Sequence, residues 1–217
     1  MESSDVQTRG KFITLEGGEG SGKSTQVRRL VEWLSNFGIS VVSTREPGGS
    51  PSAESIRALL VEGATDRWQP VSEILLHNAA RAEHIAHLIA PALDRGDWVI
   101  SDRFADSTMA YQGYAHGFDR GAIDRIHAEV VGKFIPDLTL ILDIPIVAGL
   151  ERANLRHDKE DRYERMGTVF HERVRQGFLD IAAQSPDRCV VIDAQQSMET
   201  VSDEIETVVS DRMGIGM

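Results

Sequence analysis

Consecutive residues near the start of the chain have the composition and spacing of a phosphate-binding loop. They read Gly-Gly-Glu-Gly-Ser-Gly-Lys-Ser over 17–24 and match the pattern G-x-x-x-x-G-K-[ST] at every fixed position. Glycines allow backbone N–H groups to surround a phosphate, and the N-terminus of the following helix adds its positive dipole end. We expect Lys23 to reach the β- and γ-phosphates of a nucleotide and the Ser24 hydroxyl to ligate Mg²⁺. The residues expected to hold the phosphates are Gly17, Gly18, Glu19, Gly20, Ser21, Gly22, Lys23, Ser24 and Thr25.

A second group suited to phosphate chemistry is the pair Asp102 and Arg103, which follows the apolar run Trp98–Ser101. A parallel strand that ends here would place both residues at the carboxyl edge of the sheet, where ligands bind in open α/β folds. Asp102 could hold Mg²⁺ directly or through water. The guanidinium group of Arg103 could bind an acceptor phosphate or the transferred phosphoryl group with paired hydrogen bonds.

These residues require an α/β framework, which is predicted by the alternation of short apolar runs with helical patterns. Strands are predicted at Lys11–Glu16, Ile39–Thr44, Trp98–Ser101, Leu138–Leu142 and Cys189–Ile192. Helices are predicted at Ser24–Phe37, Ala53–Glu62, Val71–Asp94 with a kink or break at Pro91, Ile123–Val131, Ile146–Arg156, Arg162–Ala183 and Met198–Val209. Five apolar strands separated by helices indicate a five-stranded parallel sheet with helices on both faces.

The 217 residues, of which 41% are hydrophobic, suit a single domain. We assign 1–10 to a loose N-terminal tail, 11–210 to the domain and 211–217 to a C-terminal tail. The net charge of −11 is unfavourable for binding a nucleic-acid polymer. No apolar run has the length of a membrane span or the form of a signal peptide, so we expect no membrane contact and a cytoplasmic location. Cys189, the single cysteine, is expected in the core.

The phosphate loop by itself does not identify a reaction, because GTPases, motor ATPases and small-molecule kinases share it. A GTPase should carry the guanine-reading pattern N-K-x-D, and no asparagine of this chain is followed by lysine. In a chain of this length, a second substrate site would favour a kinase.

Several segments resemble those of bacterial thymidylate kinases, in the order found in that family, from about residue 11 to residue 210. They are 12–26, Thr-Arg-Glu-Pro-Gly-Gly at 44–49, Ala-Ala-Arg at 79–81, Asp-Arg-Phe at 102–104, Ser-Thr-Met-Ala-Tyr-Gln-Gly at 107–113, Pro-Asp-Leu at 136–138 and Asp-Arg-Tyr-Glu at 161–164. The resemblance implies a P-loop NTPase fold, a single nucleoside monophosphate kinase domain, and Mg²⁺-dependent transfer of the γ-phosphoryl group of ATP to dTMP.

The resemblance also implies a set of dTMP-binding residues, namely Arg45, Arg57, His77, Arg81, Arg103, Thr108, Tyr111 and Gln112. It places Arg103 on the dTMP phosphate and Tyr111 beneath the deoxyribose, where a ribose 2′-OH would collide. Thr108 and Gln112 correspond to polar groups near the thymine ring. The family usually has a phenylalanine stacked on thymine at the position of His77, so this chain departs from the family there.

A basic segment near 152–163 resembles the lid that closes over ATP in this family. Some members carry an arginine inside the phosphate loop, at the position of Gly20, so here the lid must supply that charge. Arg152, Arg156 and Arg162 are the candidates for this charge. We assign Arg156 to catalysis, together with Lys23, Arg103 and Glu19, and we assign Arg152 and Arg162 to ATP binding. The family forms homodimers, and the helix Leu75–Leu88 is expected to supply part of that surface.

Two other functions remain open at this point. A deoxynucleoside kinase shares the phosphate loop and an Asp-Arg pair, but its hydroxyl acceptor needs a carboxylate base, for which Glu46 is the candidate. A regulatory ATPase without a small-molecule acceptor would have no use for Arg45, Arg81 and Arg103.

Overall fold

The computed structural model of the protein describes residues 9–132, 134–154 and 162–216. Within these residues, one parallel sheet with the strand order β2-β3-β1-β4-β5 confirms the predicted α/β fold. The strands are β1 (Phe12–Glu16), β2 (Val41–Arg45), β3 (Trp98–Asp102), β4 (Leu138–Asp143) and β5 (Cys189–Asp193). β1 is central and fully buried, so the loop that follows it opens at the middle of the sheet edge.

Helices cover both faces of this sheet. They are α1 (Lys23–Asn36), α2 (Pro51–Val61), α3 (Pro70–His84), α4 (Ala90–Asp94), α5 (Ala105–Thr108), α6 (Arg120–Val131), α7 (Ile146–Asn154), α8 (Thr168–Gln184) and α9 (Met198–Met213), with π-helical segments at Ile85–Ile89 and Met109–Ala115. Side chains of β1 alternate between the faces, as the strand period requires. Ile13 and Leu15 pack with α1 and α9, whereas Phe12 packs with Leu93 of α4.

Parallel pairing brings the carboxyl ends of β1, β2 and β3 to one edge. Asp102 lies beside Leu15 on one side and beside Arg45 on the other. The loops that follow these three strands therefore meet at this edge. Ligands usually bind at this edge in an open α/β sheet. This edge gathers the phosphate loop, Arg45 and the Asp102-Arg103 pair in one region.

The helix predicted over Val71–Asp94 is divided near Pro91, as expected. α3 ends at His84, a π-helical segment follows, and α4 begins at Ala90. Proline lacks an N–H and its ring crowds the preceding turn. A wider turn placed directly before Pro91 accommodates both effects.

Two parts of the helix prediction were wrong. No helix was predicted between the strand that ends at Ser101 and the helix that begins at Ile123, yet the chain is helical over Ala105–Ala115. Most side chains of the second half of this segment are buried, so it carries no amphipathic period. The helix predicted from Arg162 begins only at Thr168. Arg162 instead lies in a turn, where its side chain is fully buried.

The predicted tails differ slightly from the structure. Residues 1–8 lie outside the described residues, but Gly10 is buried and its N–H donates to the carbonyl oxygen of Leu93 at 2.9 Å. α9 continues to Met213, beyond the predicted start of the C-terminal tail. Cys189 is buried, as expected. Among the described residues, no helix combines the length and apolar character needed to cross a membrane.

Candidate active site

The phosphate loop joins β1 to α1 in a conformation that requires glycine. Gly17, Gly20 and Gly22 have φ angles of 136°, 68° and 91°, which residues with side chains rarely adopt. At Gly20, an added Cβ would lie 1.8 Å from the carbonyl oxygen of Gly149 in α7. Close packing of the loop against α7 therefore excludes a side chain at the position where some relatives carry arginine.

Lys23 begins α1, and its buried side chain folds back over the phosphate loop. The ammonium group donates to the carbonyl oxygens of Gly18 at 2.8 Å and Gly17 at 3.2 Å, and to the Ser21 hydroxyl at 3.2 Å. Burial lowers the pKa of Lys23 to about 8, and the charge of Arg103 adds to this effect. The positive charge thus lies inside the loop that is expected to surround a phosphate.

The two predicted metal ligands are in contact. The Ser24 hydroxyl donates to Oδ2 of Asp102 at 2.5 Å, at the carboxyl end of β3. Both supply hard oxygen ligands, and Mg²⁺ commonly takes only one or two of these from protein. In the part of the chain that the structure describes, no cluster of three or more His, Cys, Asp or Glu side chains could enclose a metal ion. A Mg²⁺ ion on Ser24 and Asp102 would therefore complete its coordination with phosphate oxygens and water.

Arg103 is held across the phosphate loop by an unusual backbone conformation. Its φ angle of 72° lies in the left-handed region, which is uncommon for a residue other than glycine and recurs at functional sites. The guanidinium group donates to Gly17 O at 2.9 Å, Ser107 Oγ at 3.1 Å, Glu19 Oε1 at 3.0 Å and Tyr111 OH at 3.0 Å. Burial alone would lower the pKa of Arg103, but Tyr111 and Glu19 raise it overall. Arg103 is therefore a fixed cation.

Glu19 orients this cation. Burial alone would raise the pKa of Glu19, but the charges of Arg103 and Lys23 bring it to about 2. The Tyr111 hydroxyl also donates to Glu19 Oε1 at 2.6 Å. A carboxylate this acidic is ionised throughout the working range and is a poor proton acceptor, so Glu19 acts by charge and position.

Glu16, the last residue of β1, accepts hydrogen bonds from the segment that follows Arg103. Its Oε1 accepts from the Phe104 backbone N–H at 2.8 Å, and its Oε2 accepts from the Ser107 hydroxyl at 2.5 Å. Burial raises the pKa of Glu16 to about 8, and Asp106 adds to the increase. These two bonds hold the backbone directly after Arg103, where the left-handed conformation must be maintained.

Most of the residues predicted to bind dTMP line one pocket beside Arg103. This acceptor pocket is lined by Arg57, His77, Arg81, Arg103, Thr108, Tyr111 and Gln112, together with Glu19, Glu46, Ser107 and Tyr163. Arg45 lies instead in an adjoining cleft with Lys23, Ser24 and Asp102, and it pairs with Glu54 at 3.2 Å. This cleft also contains Arg57, Arg103 and Glu19, so it connects the phosphate loop with the acceptor pocket.

Arg81 is fixed by a buried ion pair. Its Nε donates to Glu46 Oε2 at 2.8 Å and its Nη2 to the Thr108 hydroxyl at 2.9 Å, while His84 Nδ1 lies 3.0 Å from Glu46 Oε1. Burial alone would raise the pKa of Glu46, but Arg81 and His84 hold it below the usual value. Glu46 therefore stays ionised, and its hydrogen bond holds the Arg81 side chain in place.

Glu73 lies eight residues before Arg81 in α3 and accepts several hydrogen bonds, two of them from the pocket-lining residues Gln112 and Tyr163. Arg162 donates to it at 3.0 and 3.3 Å, Gln112 Nε2 donates at 3.2 Å, and the Tyr163 hydroxyl makes a very short contact. Burial alone would raise the pKa of Glu73, but the bonds from Arg162 and Tyr163 lower it overall. His77 Nε2 lies 3.1 Å from Tyr163 OH, and burial lowers the pKa of His77 to about 4, so its ring is neutral near pH 7.

Of the predicted lid near 152–163, the structure describes only the two ends, residues 152–154 and 162–163. Arg152 lines the cleft beside the phosphate loop, and its Nη1 donates to the Ala194 carbonyl oxygen at 3.0 Å. Arg156, predicted to be catalytic, lies outside the described residues. Arg162 donates to Leu60, Ala64 and Thr65 carbonyl oxygens as well as to Glu73. This arrangement does not favour the ATP contact predicted for Arg162, because its donors are used to anchor the chain to α2 and α3.

The sequence prediction missed residues that position the cations, above all Glu73 and Tyr163. One signal was present, because Glu73, His77 and Arg81 are spaced by four residues within a helical pattern. Residues at this spacing share a helix face. A binding role for Arg81 and His77 therefore implied that Glu73 lies on the same helix face as these two residues.

Comparisons with known proteins agree with this geometry. Residues 15–205 match the model of the family described as thymidylate kinase. Curated thymidylate kinases from Caulobacter vibrioides and Jannaschia sp. are 53% and 50% identical, over 96% and 93% of this chain and 100% and 97% of the relatives. A crystal structure of thymidylate kinase from Ehrlichia chaffeensis has a TM-score of 0.76 and 39% identity over 93% of this chain and 99% of that one, which confirms the P-loop NTPase fold. The chain therefore belongs to the thymidylate kinase family.

Proposed function

We propose that the protein transfers the γ-phosphoryl group of ATP to dTMP and releases dTDP and ADP. The observation that supports this most strongly is the shared boundary between the phosphate loop and the acceptor pocket. Arg103 and Glu19 line the acceptor pocket and also the cleft that contains Lys23 and Ser24. A donor phosphate in the loop and an acceptor phosphate at Arg103 would thus face each other across one cation.

The transfer needs no general base. The acceptor atom is a phosphate oxygen that is already ionised near neutral pH, so catalysis consists of positioning and charge neutralisation. Lys23 and Arg103 supply two fixed positive charges, and both donate to the carbonyl oxygen of Gly17. We assign them to the transferred group, with Arg156 of the lid as a third cation and Arg152 on ATP.

Ser24 and Asp102 fit a Mg²⁺ site, because their oxygen atoms already lie in contact at the edge of the phosphate loop. A Mg²⁺ ion held by Ser24 and Asp102 would supply positive charge that offsets the negative charge of the phosphate oxygens. The protein's own contribution is to hold Asp102 at the end of β3, next to Leu15 of the central strand.

The acceptor pocket suits a pyrimidine deoxynucleotide. Arg81, Thr108, Gln112 and His77 supply polar groups for the base, with Arg57 near it, and we assign Arg45 to the phosphate end of the nucleotide. The Tyr111 ring is fixed by edge-on contact with Tyr163, at 5.4 Å between ring centres, as well as by its hydroxyl bonds. A fixed ring beneath the sugar would collide with a 2′-OH, which favours the deoxyribonucleotide.

A nucleoside kinase is not favoured by this site. Glu46, the carboxylate that could have activated a hydroxyl acceptor, is paired with Arg81 and His84 and has a lowered pKa. The test is ATP consumption with dTMP, with thymidine and with no acceptor. We expect rapid ADP formation only with dTMP. Turnover of thymidine instead would support the nucleoside kinase, and equal turnover without acceptor would support a regulatory ATPase.

We also propose that the protein is a cytoplasmic homodimer. Apolar side chains are exposed on neighbouring helices α2, α3 and α6, among them Leu59, Val71, Leu75 and Val130. This surface includes Leu75, the first residue of the helix Leu75–Leu88 that was expected to supply part of the homodimer interface. An exposed apolar face of this kind is typical of an interface between subunits.

A further inference from the structure

A buried polar side chain lies behind Arg81, outside the acceptor pocket. His84 ends α3, three residues after Arg81, so the two share a helix face. Its ring is fully buried and lines neither the acceptor pocket nor the adjoining cleft. Nδ1 of the ring lies 3.0 Å from Glu46 Oε1, and Nε2 lies 2.7 Å from Thr44 Oγ1. Because Glu46 also accepts from Arg81 Nε, His84 is linked to the pocket through Glu46.

The charge of Glu46 determines where the proton of His84 lies. Burial alone would raise the pKa of Glu46, but Arg81 and His84 bring it below its usual value, so the carboxylate is ionised near pH 7. An ionised carboxylate accepts hydrogen bonds and donates none. Nδ1 of His84 must therefore donate to Oε1, whether the ring is neutral or charged. The two oxygens of Glu46 thus each accept from a different side chain.

The loop that follows β2 encloses the other hydrogen bond of the ring. Gly49 has a φ angle of 88°, and an added Cβ there would lie 2.3 Å from His84 Nε2 and 2.4 Å from Thr44 Oγ1. The Glu46 backbone N–H donates to the Asp102 carbonyl oxygen at 2.9 Å, which ties the start of this loop to β3. Since both the His84 ring and the Glu46 backbone are held, the bond from Nδ1 fixes how the carboxylate plane is turned.

The position of Arg81 depends on this carboxylate. Nε of Arg81 donates to Glu46 Oε2 at 2.8 Å, while Nη2 donates to the Thr108 hydroxyl at 2.9 Å and the Phe104 carbonyl oxygen at 3.3 Å. The donors of a guanidinium group form a rigid planar fork, so a turned carboxylate would turn the whole group. Loss of the Nδ1 donor would leave Oε1 buried and unpaired, which is costly enough to drive such a turn.

We propose that His84 is a positioning residue for acceptor binding, which acts through Glu46 to fix the Arg81 guanidinium group in the acceptor pocket. Arg81 is assigned to the base of dTMP, away from the transferred phosphoryl group. A displaced Arg81 would weaken binding of the ground state and of the transition state equally, which raises KM and leaves kcat unchanged. The inference rests on the proposed function, because it requires dTMP to occupy this pocket.

The test compares KM for dTMP in His84→Leu and His84→Asn. Leucine has no donor, so we expect KM for dTMP to rise roughly tenfold or more, while kcat and KM for ATP change less than about twofold. The amide nitrogen of asparagine lies as many bonds from the backbone as Nδ1 does, so it can donate to Glu46. We expect His84→Asn to restore KM for dTMP to within about threefold of wild type. An unchanged KM in His84→Leu, or an equal rise in both variants, would overturn the proposal.

Thr44→Val is the matched control, because it removes the other hydrogen bond of the His84 ring and leaves the bond to Glu46. We expect it to lower Tm and to leave KM for dTMP unchanged. A rise in KM equal to that of His84→Leu would reduce His84 to a stabilising role and overturn the proposal.

If His84→Leu does not fold, His84→Met carries the same expectation, because a methionine side chain is flexible enough to fill irregular space. Wild-type protein that fails to convert dTMP would overturn the proposed function itself. Normal conversion by wild type, with an unchanged KM for dTMP in the His84 variants that lack a donor, would overturn only this inference.

Discussion

The carbonyl oxygen of Gly17 accepts hydrogen bonds from two cations, Lys23 at 3.2 Å and Arg103 at 2.9 Å. The two side chains come from different elements, since Lys23 begins α1 and Arg103 follows β3. Their repulsion is offset in part by Glu19, which lies 3.0 Å from Arg103 and is ionised. A phosphoryl group in transfer carries negative charge on its outer oxygens, which cations fixed in advance can neutralise.

Lys23→Ala should remove one of these charges at the transferred group. We expect kcat to fall about 10²–10⁴-fold, the range typical of losing one fixed charge or donor in a transition state. Lys11→Ala is the control, because Lys11 lies outside the phosphate loop and should leave kcat near the wild-type value. Near-normal turnover by Lys23→Ala in a steady-state assay would exclude the assigned role.

His77→Phe should make stability less dependent on pH. The pKa of His77 is lowered from 6.5 to about 4 by burial, so between these values the unfolded chain binds a proton that the folded chain does not. Wild-type stability is therefore lost as pH falls through 6.5 toward 4. Phenylalanine does not titrate, so the unfolding free energy of the variant relative to wild type should rise by about 2 kcal/mol from pH 7.5 to pH 5. Denaturant unfolding of both proteins at both pH values measures this difference in unfolding free energy. If the unfolding free energies of wild type and variant change equally with pH, the lowered pKa of His77 is excluded.

The sequence predicted those site residues whose roles are local. Lys23 and Ser24 belong to one continuous motif, and Asp102 and Arg103 follow one apolar strand. Glu73 was not predicted, because its role depends on contact with Arg162, which is 89 positions away in the chain. A pattern within a single helix can place Glu73 on the correct face, but it cannot supply that distant partner.

At the scale of elements, the phosphate loop rests directly on helix α7. An added Cβ on Gly149 would lie 2.5 Å from the Glu19 carbonyl oxygen, and one on Gly20 would lie 1.8 Å from the Gly149 carbonyl oxygen. α7 ends at Asn154, so its last residues belong to the predicted lid segment near 152–163. A movement of α7 would therefore be transmitted to the phosphate loop by backbone contact.

Gly149→Ala should displace the phosphate loop from α7. Alanine favours a helix over glycine by about 1 kcal/mol, so intrinsic propensity alone would stabilise the variant. The clash is with backbone, which cannot rotate away, so we expect kcat/KM for ATP to fall about tenfold or more. Gly121→Ala in α6 is the control, since its Cβ would meet only the ends of flexible side chains at 3.4 Å or more. Full activity in Gly149→Ala would show that this contact is unimportant.

Elements were predictable where one face is apolar and the other is polar. α1 shows this pattern, with Val27, Leu30 and Leu34 buried and its opposite side exposed. The helical segment Ala105–Ala115 does not, because it packs against α8 on one side and forms the pocket wall on the other. Its sequence therefore lacks the period on which helix prediction depends.

At the scale of the whole molecule, the exposed apolar side chains of α2, α3 and α6 predict self-association. Leu75 of α3 is 53% exposed, and Leu75→Asp would place a charge in the proposed interface. We expect light scattering to give a mass near twice 24.0 kDa for wild type and near 24.0 kDa for the variant. Val147→Asp in α7 is the control, because Val147 is 67% exposed but lies on a different helix, and it should remain dimeric. A monomeric wild type would exclude the dimer.

The most direct test of the proposed reaction follows the phosphoryl group itself. ATP labelled at the γ-phosphorus is incubated with Mg²⁺, the protein and unlabelled dTMP, and the products are separated by chromatography. The proposed roles of Lys23 and Arg103 predict label at the β-phosphorus of dTDP, in the same amount as ADP, with little label in free phosphate. Label that appears mainly in free phosphate, or that is transferred to thymidine but not to dTMP, would contradict them.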